Sequence, residues 1–167
     1  MLNIYKASAG SGKTYTLALE YIKMVLGIHD PETGKYRLNK NPRDIHRHIL
    51  AITFTVKATE EMKQRIIHEI ALLAGREPRW KKPSNYTTEL CDLFGCSVNE
   101  LSKAANVALD AILYDYSLFT ISTIDAFFQT VLRTFAREAE LTGNYEIELN
   151  DTAAITYGVN QMFASMN

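Results

Sequence analysis

Apolar and polar positions change period several times along the chain, and each change marks an element. Leu2 to Ala7 alternate as a half-buried strand does, and Ser8 to Gly12 follow as a small, glycine-containing turn. From Lys13 to Leu26 the period becomes helical, with Leu17, Tyr21, Met24 and Val25, and Ala18 and Ile22 beside them, on one apolar face; Gly27 reads as the stop. Residues 28–47 are polar and basic and are broken by Asp30-Pro31 and Asn41-Pro42, which predicts a long exposed connection. His48 to Thr55 is a continuous apolar and β-branched run, the pattern of a strand covered on both faces in a parallel sheet.

Val56 to Ala74 returns to helical spacing through Met62, Ile66, Ile70 and Leu73 and stops at Gly75. The stretch 76–84 reads as a basic linker, and 87–94 and 98–116 as helices, the second with Leu101, Ala105, Ala108 and Ile112 on one side. Leu118–Thr123 has a strand pattern. Asp125–Arg137 is a helix with a wide stripe of Phe127, Phe128, Val131, Leu132 and Phe135. Tyr145–Leu149 alternates again, and Ala153–Met166 closes the series as a helix. Strands alternating with helices predict an α/β fold with a parallel sheet, in which residues 76–117 form a helical insertion between two strands.

Composition agrees with a globular domain: of 167 residues 47% are hydrophobic and 22% charged. Chains of this length typically bury about 70% of their unfolded surface, so no disulfide or metal staple is required. Cys91 and Cys96 lack further ligands at zinc-site spacing and read as reduced thiols, and His46 and His48 in a polar loop read as ordinary loop histidines. No apolar run reaches the length of a membrane helix and the N-terminus lacks a secretory layout, so a cytoplasmic location is expected. The formal charge is −1, but it is unevenly spread: residues 1–137 carry 18 Lys and Arg against 14 Asp and Glu, while Glu138, Glu140, Glu146, Glu148 and Asp151 follow with no base. Binding of nucleic acid by bulk charge is thereby excluded.

The chemistry concentrates in Ala7-Ser-Ala-Gly-Ser-Gly-Lys-Thr14, which fits G-x-x-x-x-G-K-[ST] at every fixed position but the first, between a strand and a helix. Small residues let the backbone curl its N–H groups around a phosphate, and the positive end of the following helix faces the same anion. Ser8, Ala9, Gly10, Ser11, Gly12, Lys13, Thr14 and Tyr15 are the candidate nucleotide-binding residues. Lys13 supplies charge to the β- and γ-phosphates and the Thr14 hydroxyl is the candidate Mg²⁺ ligand, with a purine triphosphate, ATP, as the expected cofactor.

The loop, followed by Ala51-Ile-Thr-Phe-Thr-Val-Lys-Ala-Thr-Glu-Glu-Met-Lys-Gln-Arg-Ile66 and by Thr123-Ile-Asp-Ala-Phe-Phe-Gln-Thr-Val-Leu-Arg133, resembles motifs I, Ia and Ib of the UvrD/Rep-type superfamily 1 DNA helicases. The RecB-like helicase–nuclease branch is the nearest in pattern, and Phe135-Ala-Arg-Glu138 leading to Tyr145-Glu-Ile-Glu-Leu149 is also similar to it. The resemblance covers roughly half the chain. It implies an incomplete RecA-like P-loop domain over 1–137, with the start of a following helical subdomain at 138–167. It further implies single-stranded DNA contacts through Thr53, Phe54, Thr55, Lys57, Thr123 and Phe127. Aromatic rings stack bases, while hydroxyls and helix N-termini hold phosphates without reading sequence. Core packing is the competing role for Phe54 and Phe127, and a solvated loop is the competing role for the basic stretches 35–48 and 76–82. Val56 stands where the family usually has Asn, and Asp125 where it commonly has His; capping of its own helix is the role read for Asp125.

No apolar strand ending in Asp-Glu occurs in the sequence, and too few residues precede the loop for an adenine-reading Gln motif. The expectation is therefore the N-terminal, ATP-binding part of a longer helicase–nuclease of DNA repair, itself weak in hydrolysis. Its partners would be single-stranded DNA and a nuclease or helicase subunit. Self-association through an unfinished sheet is also expected. A small P-loop nucleoside or metabolite kinase and a non-catalytic nucleotide-binding module are the alternatives.

Overall fold

The computed structural model describes residues 13–76, 83–135 and 151–165, which fall in two compact units, Met1–Phe127 and Phe128–Asn167. The expected strand at 2–7, the loop at 8–12 and the segment 145–149 lie outside the described residues.

Helix α1 runs Lys13–Leu26. Its buried face is Ala18, Leu19, Tyr21, Ile22, Val25 and Leu26, so the apolar stripe is rotated from the one the pattern suggests: Leu17 and Met24 are about half exposed, while Leu19 turns inward. Gly27 does not end the structure. It opens strand β1 (Gly27–His29), which pairs antiparallel with β2 (Tyr36–Leu38) in the register Gly27↔Leu38, Ile28↔Arg37, His29↔Tyr36. Glycine is required there by close approach, since a Cβ would lie 2.7 Å from the Phe94 ring and 2.6 Å from the Lys23 carbonyl oxygen.

The long exposed connection expected over 28–47 is thus corrected to a hairpin followed by a 3₁₀ turn, Ile45–His48. Asp30 organises the hairpin loop: its Oδ1 accepts the Glu32 N–H at 3.0 Å and its Oδ2 accepts the Thr33 hydroxyl at 2.6 Å. These bonds, the Thr33 hydroxyl foremost, hold its carboxyl below the usual range. His46, expected on a polar loop, is 1% exposed, and the guanidinium of Arg47 beside it is ion-paired with Asp44 and Asp115.

Strand β3 is shorter than its apolar run, Ala51–Thr53, and pairs in parallel with β4, Ile121–Thr123. The parallel pairing follows the sequence pattern, but cover on both faces does not, because Ile52 is 45% exposed among the described residues. Helix α2 (Val56–Leu73) buries Met62, Ile66, Ile70 and Leu73 as its spacing predicts. Helix α3 spans Thr87–Phe94 and ends on Gly95 at φ 60°, a left-handed residue that closes the last turn.

Helix α4 (Val98–Tyr114) starts at a capping box in which the Ser97 hydroxyl accepts the Glu100 N–H and the Glu100 carboxylate accepts the Ser97 N–H. Its Leu101, Ala104, Ala105, Ala108 and Ile112 enter the same core cluster as α1 and α2, the alanines allowing close helix approach. Residues 83–118 therefore share the core. On the surface, Arg76, three residues beyond α2, ties the chain to α4, donating to Asn106 Oδ1 at 2.6 Å and to Asp110 Oδ2 at 3.0 Å. Ser97→Ala removes the α4 cap and is expected to cost about 1 kcal/mol in urea unfolding, with the slope of the transition unchanged.

Helix α5 (Ile124–Thr134) has no buried residue; in the second unit its Phe128 and Leu132 are exposed, as is Phe135 beyond it. Helix α6 spans Asp151–Ser165. No helix among the described residues is long and apolar enough to cross a membrane.

Candidate functional site

Two regions of the first unit gather the residues singled out by sequence. The first is the start of α1. Ser8 to Gly12 lie outside the described residues, Lys13 opens the helix and Thr14 is exposed in its first turn. Thr14 borders a cleft of about 440 Å³ whose other lining residues, Glu61, Gln64, Arg65, His68 and Glu69, all come from α2. Glu61, Gln64, Arg65 and His68 lie on the polar side of that helix, and Glu69 is buried at the edge of its apolar side, near Met62. The cleft is mixed in charge: the Thr14 hydroxyl, Gln64, Arg65 and His68 can donate to a phosphate-bearing ligand, while Glu61 and Glu69 are carboxylates that accept, Glu69 already receiving the Ser84 hydroxyl at 2.6 Å.

Tyr15 is half-buried, its ring centroid 4.5 Å from that of Tyr86, and the Tyr86 hydroxyl donates to the Tyr15 carbonyl oxygen at 3.0 Å. Burial first, then Glu89 and Glu69, raise the Tyr15 phenol above its ordinary range. Sequence reasoning missed Gln64, Arg65, His68 and Glu69, although their three- and four-residue spacing on the polar face of α2 is visible in it. Among the described residues no group of three His, Cys, Asp or Glu could hold a metal.

The second region is the carboxyl end of the parallel pair. Thr53 and Thr123 are register partners, β3 leads through Phe54 and Thr55 into α2, and β4 leads directly into α5. Two helix N-termini therefore lie beside each other, each with a first turn of N–H groups that has no intrahelical acceptor. The Thr55 hydroxyl caps α2, accepting the Ala58 N–H at 3.1 Å, and the Thr123 hydroxyl accepts the Ala126 N–H at 3.2 Å on α5. Thr53 Oγ1 donates to the Thr55 carbonyl at 3.1 Å and lies 2.7 Å from Thr59 Oγ1.

These three hydroxyls thus shape the strand ends from within. The capping role read for Asp125 is corrected: Thr123 takes it, because the helix begins one residue earlier, and Asp125 sits in the first turn, where a carboxylate complements the helix dipole. Phe54 is 86% exposed, which overturns its core-packing alternative, and Phe127 is half-buried. Lys57 is exposed, with Glu61 at 3.9 Å, an ion pair of small worth.

Comparison with known proteins places the chain in a family. Residues 3–165 match the model of the UvrD/REP helicase N-terminal domain. The chain belongs to this family. Among individual proteins it is 28% identical over 156 residues to the RecBCD enzyme subunit RecB of Haemophilus influenzae, covering 87% of this chain and 12% of that protein. It is 36% identical over 77 residues to RecBCD enzyme subunit RecB of Escherichia coli K12, 44% of this chain and 6% of that one. It is 38% identical over 87 residues to an ATP-dependent helicase/nuclease of Clostridium novyi, 52% of this chain and 6% of that protein. The chain thus spans 12% or less of the length of these relatives. Membership in a helicase and helicase–nuclease family of DNA repair enzymes does not favour the small-kinase alternative.

Proposed function

We propose that this UvrD/REP-type chain is the ATP-binding part of a helicase–nuclease that moves on single-stranded DNA in DNA repair and recombination. The observation that carries the reading is the pairing of Thr53 with Thr123, which sets the starts of α2 and α5 together with the exposed Phe54 ring between strand and helix. In this reading residues 1–137 form a RecA-like domain with 76–117 inserted, and 138–167 begin a helical subdomain. Ser8 to Tyr15 would hold the triphosphate, Lys13 its β- and γ-phosphates and Thr14 the Mg²⁺, which would supply neutralisation of phosphate charge. The Phe54 ring stacks a base, while the first turns of α2 and α5, with Lys57, take phosphates; Phe127 supports the α5 start beside Thr123.

DNA contact with a partner subunit in a multi-subunit enzyme belongs to the same proposal, as does a cytoplasmic location. Since the 167-residue sequence contains no Asp-Glu pair to hold Mg²⁺ and orient water, its own ATP turnover is expected to stay near background with or without DNA. The deciding experiment is equilibrium binding of a fluorescent ATP analogue to the wild-type chain and to Lys13→Ala. Saturable binding lost at least tenfold in the variant is expected. Equal affinity in both would remove the nucleotide reading.

A further inference from the structure

The first turn of α1 is held from outside the helix. The Tyr86 hydroxyl bonds the carbonyl of Tyr15, the residue after Thr14, and Tyr86 itself has no exposed surface. The Tyr86 N–H donates to Ser84 Oγ at 3.2 Å, and that hydroxyl donates to Glu69 Oε2 at 2.6 Å. Ser84 and Glu69 are both buried, and Glu69 also lines the cleft that Thr14 borders. The turn at 84–86 therefore ties α1 to α2 beside the cleft that Thr14 and Arg65 both line.

Apolar packing alone would hold the two helices together, but it leaves a helix free to roll about its axis, which would swing Thr14. The first turn of any helix also lacks half its ladder and frays most readily. A directional bond to the Tyr15 carbonyl, backed by a second bonded pair, fixes both the roll and the turn. The phenol serves as a permanent donor: burial, then Glu69 and Tyr15, push it up to about 12 against the opposing pull of Arg65.

We propose that Tyr86, with Ser84 and Glu69 behind it, is the positioning residue that holds the Thr14 hydroxyl at the metal–phosphate end of the nucleotide site. The inference rests on the nucleotide reading given above, and it extends that site to a segment beyond α2 that no loop motif includes.

The test measures affinity of a fluorescent ATP analogue with Mg²⁺ and in EDTA, for wild type, Thr14→Ala, Tyr86→Phe and the double variant, with the melting temperature of each. Tyr86→Phe keeps the ring and its packing. The gain in affinity given by Mg²⁺ is expected to fall about 2- to 12-fold, the range of one hydrogen bond. Affinity in EDTA should stay within about twofold, and the double variant should lose no more of the Mg²⁺ gain than Thr14→Ala alone. Ser84→Ala is the second variant, should Tyr86→Phe fail to fold, and the same selective loss is expected of it. An unchanged Mg²⁺ gain in a folded variant, or equal loss with and without Mg²⁺, reduces Tyr86 to a structural contact and overturns the proposal. No nucleotide binding by wild type would instead remove the nucleotide reading, and the proposal with it.

Discussion

Phe54→Ala is expected to weaken single-stranded DNA binding by about 5- to 150-fold, the range of one base–aromatic stack worth ~1–3 kcal/mol. The effect should come without a stability cost, because Phe54 is 86% exposed and contributes little to the core. Fluorescence anisotropy with a labelled oligonucleotide, paired with urea unfolding, separates the two readouts. Phe54→Tyr should restore binding to within a few-fold, since the ring face is retained. If Phe54→Ala binds DNA as wild type does, the strand end is not a base-stacking site. A drop in unfolding free energy of about 3 kcal/mol or more, the size of a buried Phe deletion, would show instead that the ring packs in the core.

Acidification is expected to destabilise the first unit through His46. The ring is 1% exposed, and neither of its nitrogens has a hydrogen-bond partner among the described residues. Burial, then the neighbouring Arg47, depress its pKa below 6.5, although Asp115 and Asp44 pull the other way and His48 adds a small push down. The unfolded chain therefore binds a proton more readily than the folded one. This contribution to stability is fully present above about pH 6.5 and is lost as the pH falls toward the lower folded value. The slope in that window is bounded by the one-proton limit of about 1.4 kcal/mol per pH unit. Urea midpoints between pH 7.5 and 5 should fall in wild type and flatten in His46→Leu, which fills the same buried site without a titratable ring. Parallel pH profiles for the two proteins would assign the acid sensitivity to other groups.

Helices carried most of what the sequence made legible. Met62, Ile66, Ile70 and Leu73 on α2 and Leu101, Ala105, Ala108 and Ile112 on α4 lie inside as their spacing requires, because a long amphipathic period has one good solution. Short elements were less readable. The hairpin strands β1 and β2 have three residues each, too few for an alternation to show through a basic, proline-broken stretch. His46 could not be placed by residue type, since a histidine has two polar nitrogens yet packs in a core through its carbons. In α1 the rotation that exposes Leu17 and buries Leu19 is set by which neighbours pack against the helix, and the helix alone does not encode that.

At the candidate site, the loop motif pointed to Lys13 and Thr14, and the Ia-like and Ib-like segments pointed to the strand ends. Which hydroxyl caps which helix depended on where α5 begins. Thr123 precedes Asp125 by two residues, and both are good capping types, so composition could not choose between them. The network around Tyr86 had no sequence signal at all. It joins residues that are 15 and 71 positions apart in the chain.

Helix α2 begins at the strand-end cluster and, about two turns later, lines the cleft beside Thr14. Its residues 56–73 include neither glycine nor proline, so nothing along it acts as a joint. Its N-terminus lies at the strand ends and its middle turns line the cleft. The next glycine along the chain is Gly75, beyond the helix end, at φ 72°. In the proposed reading, one unbroken helix therefore underlies both the cleft beside Thr14 and the strand end that carries Phe54.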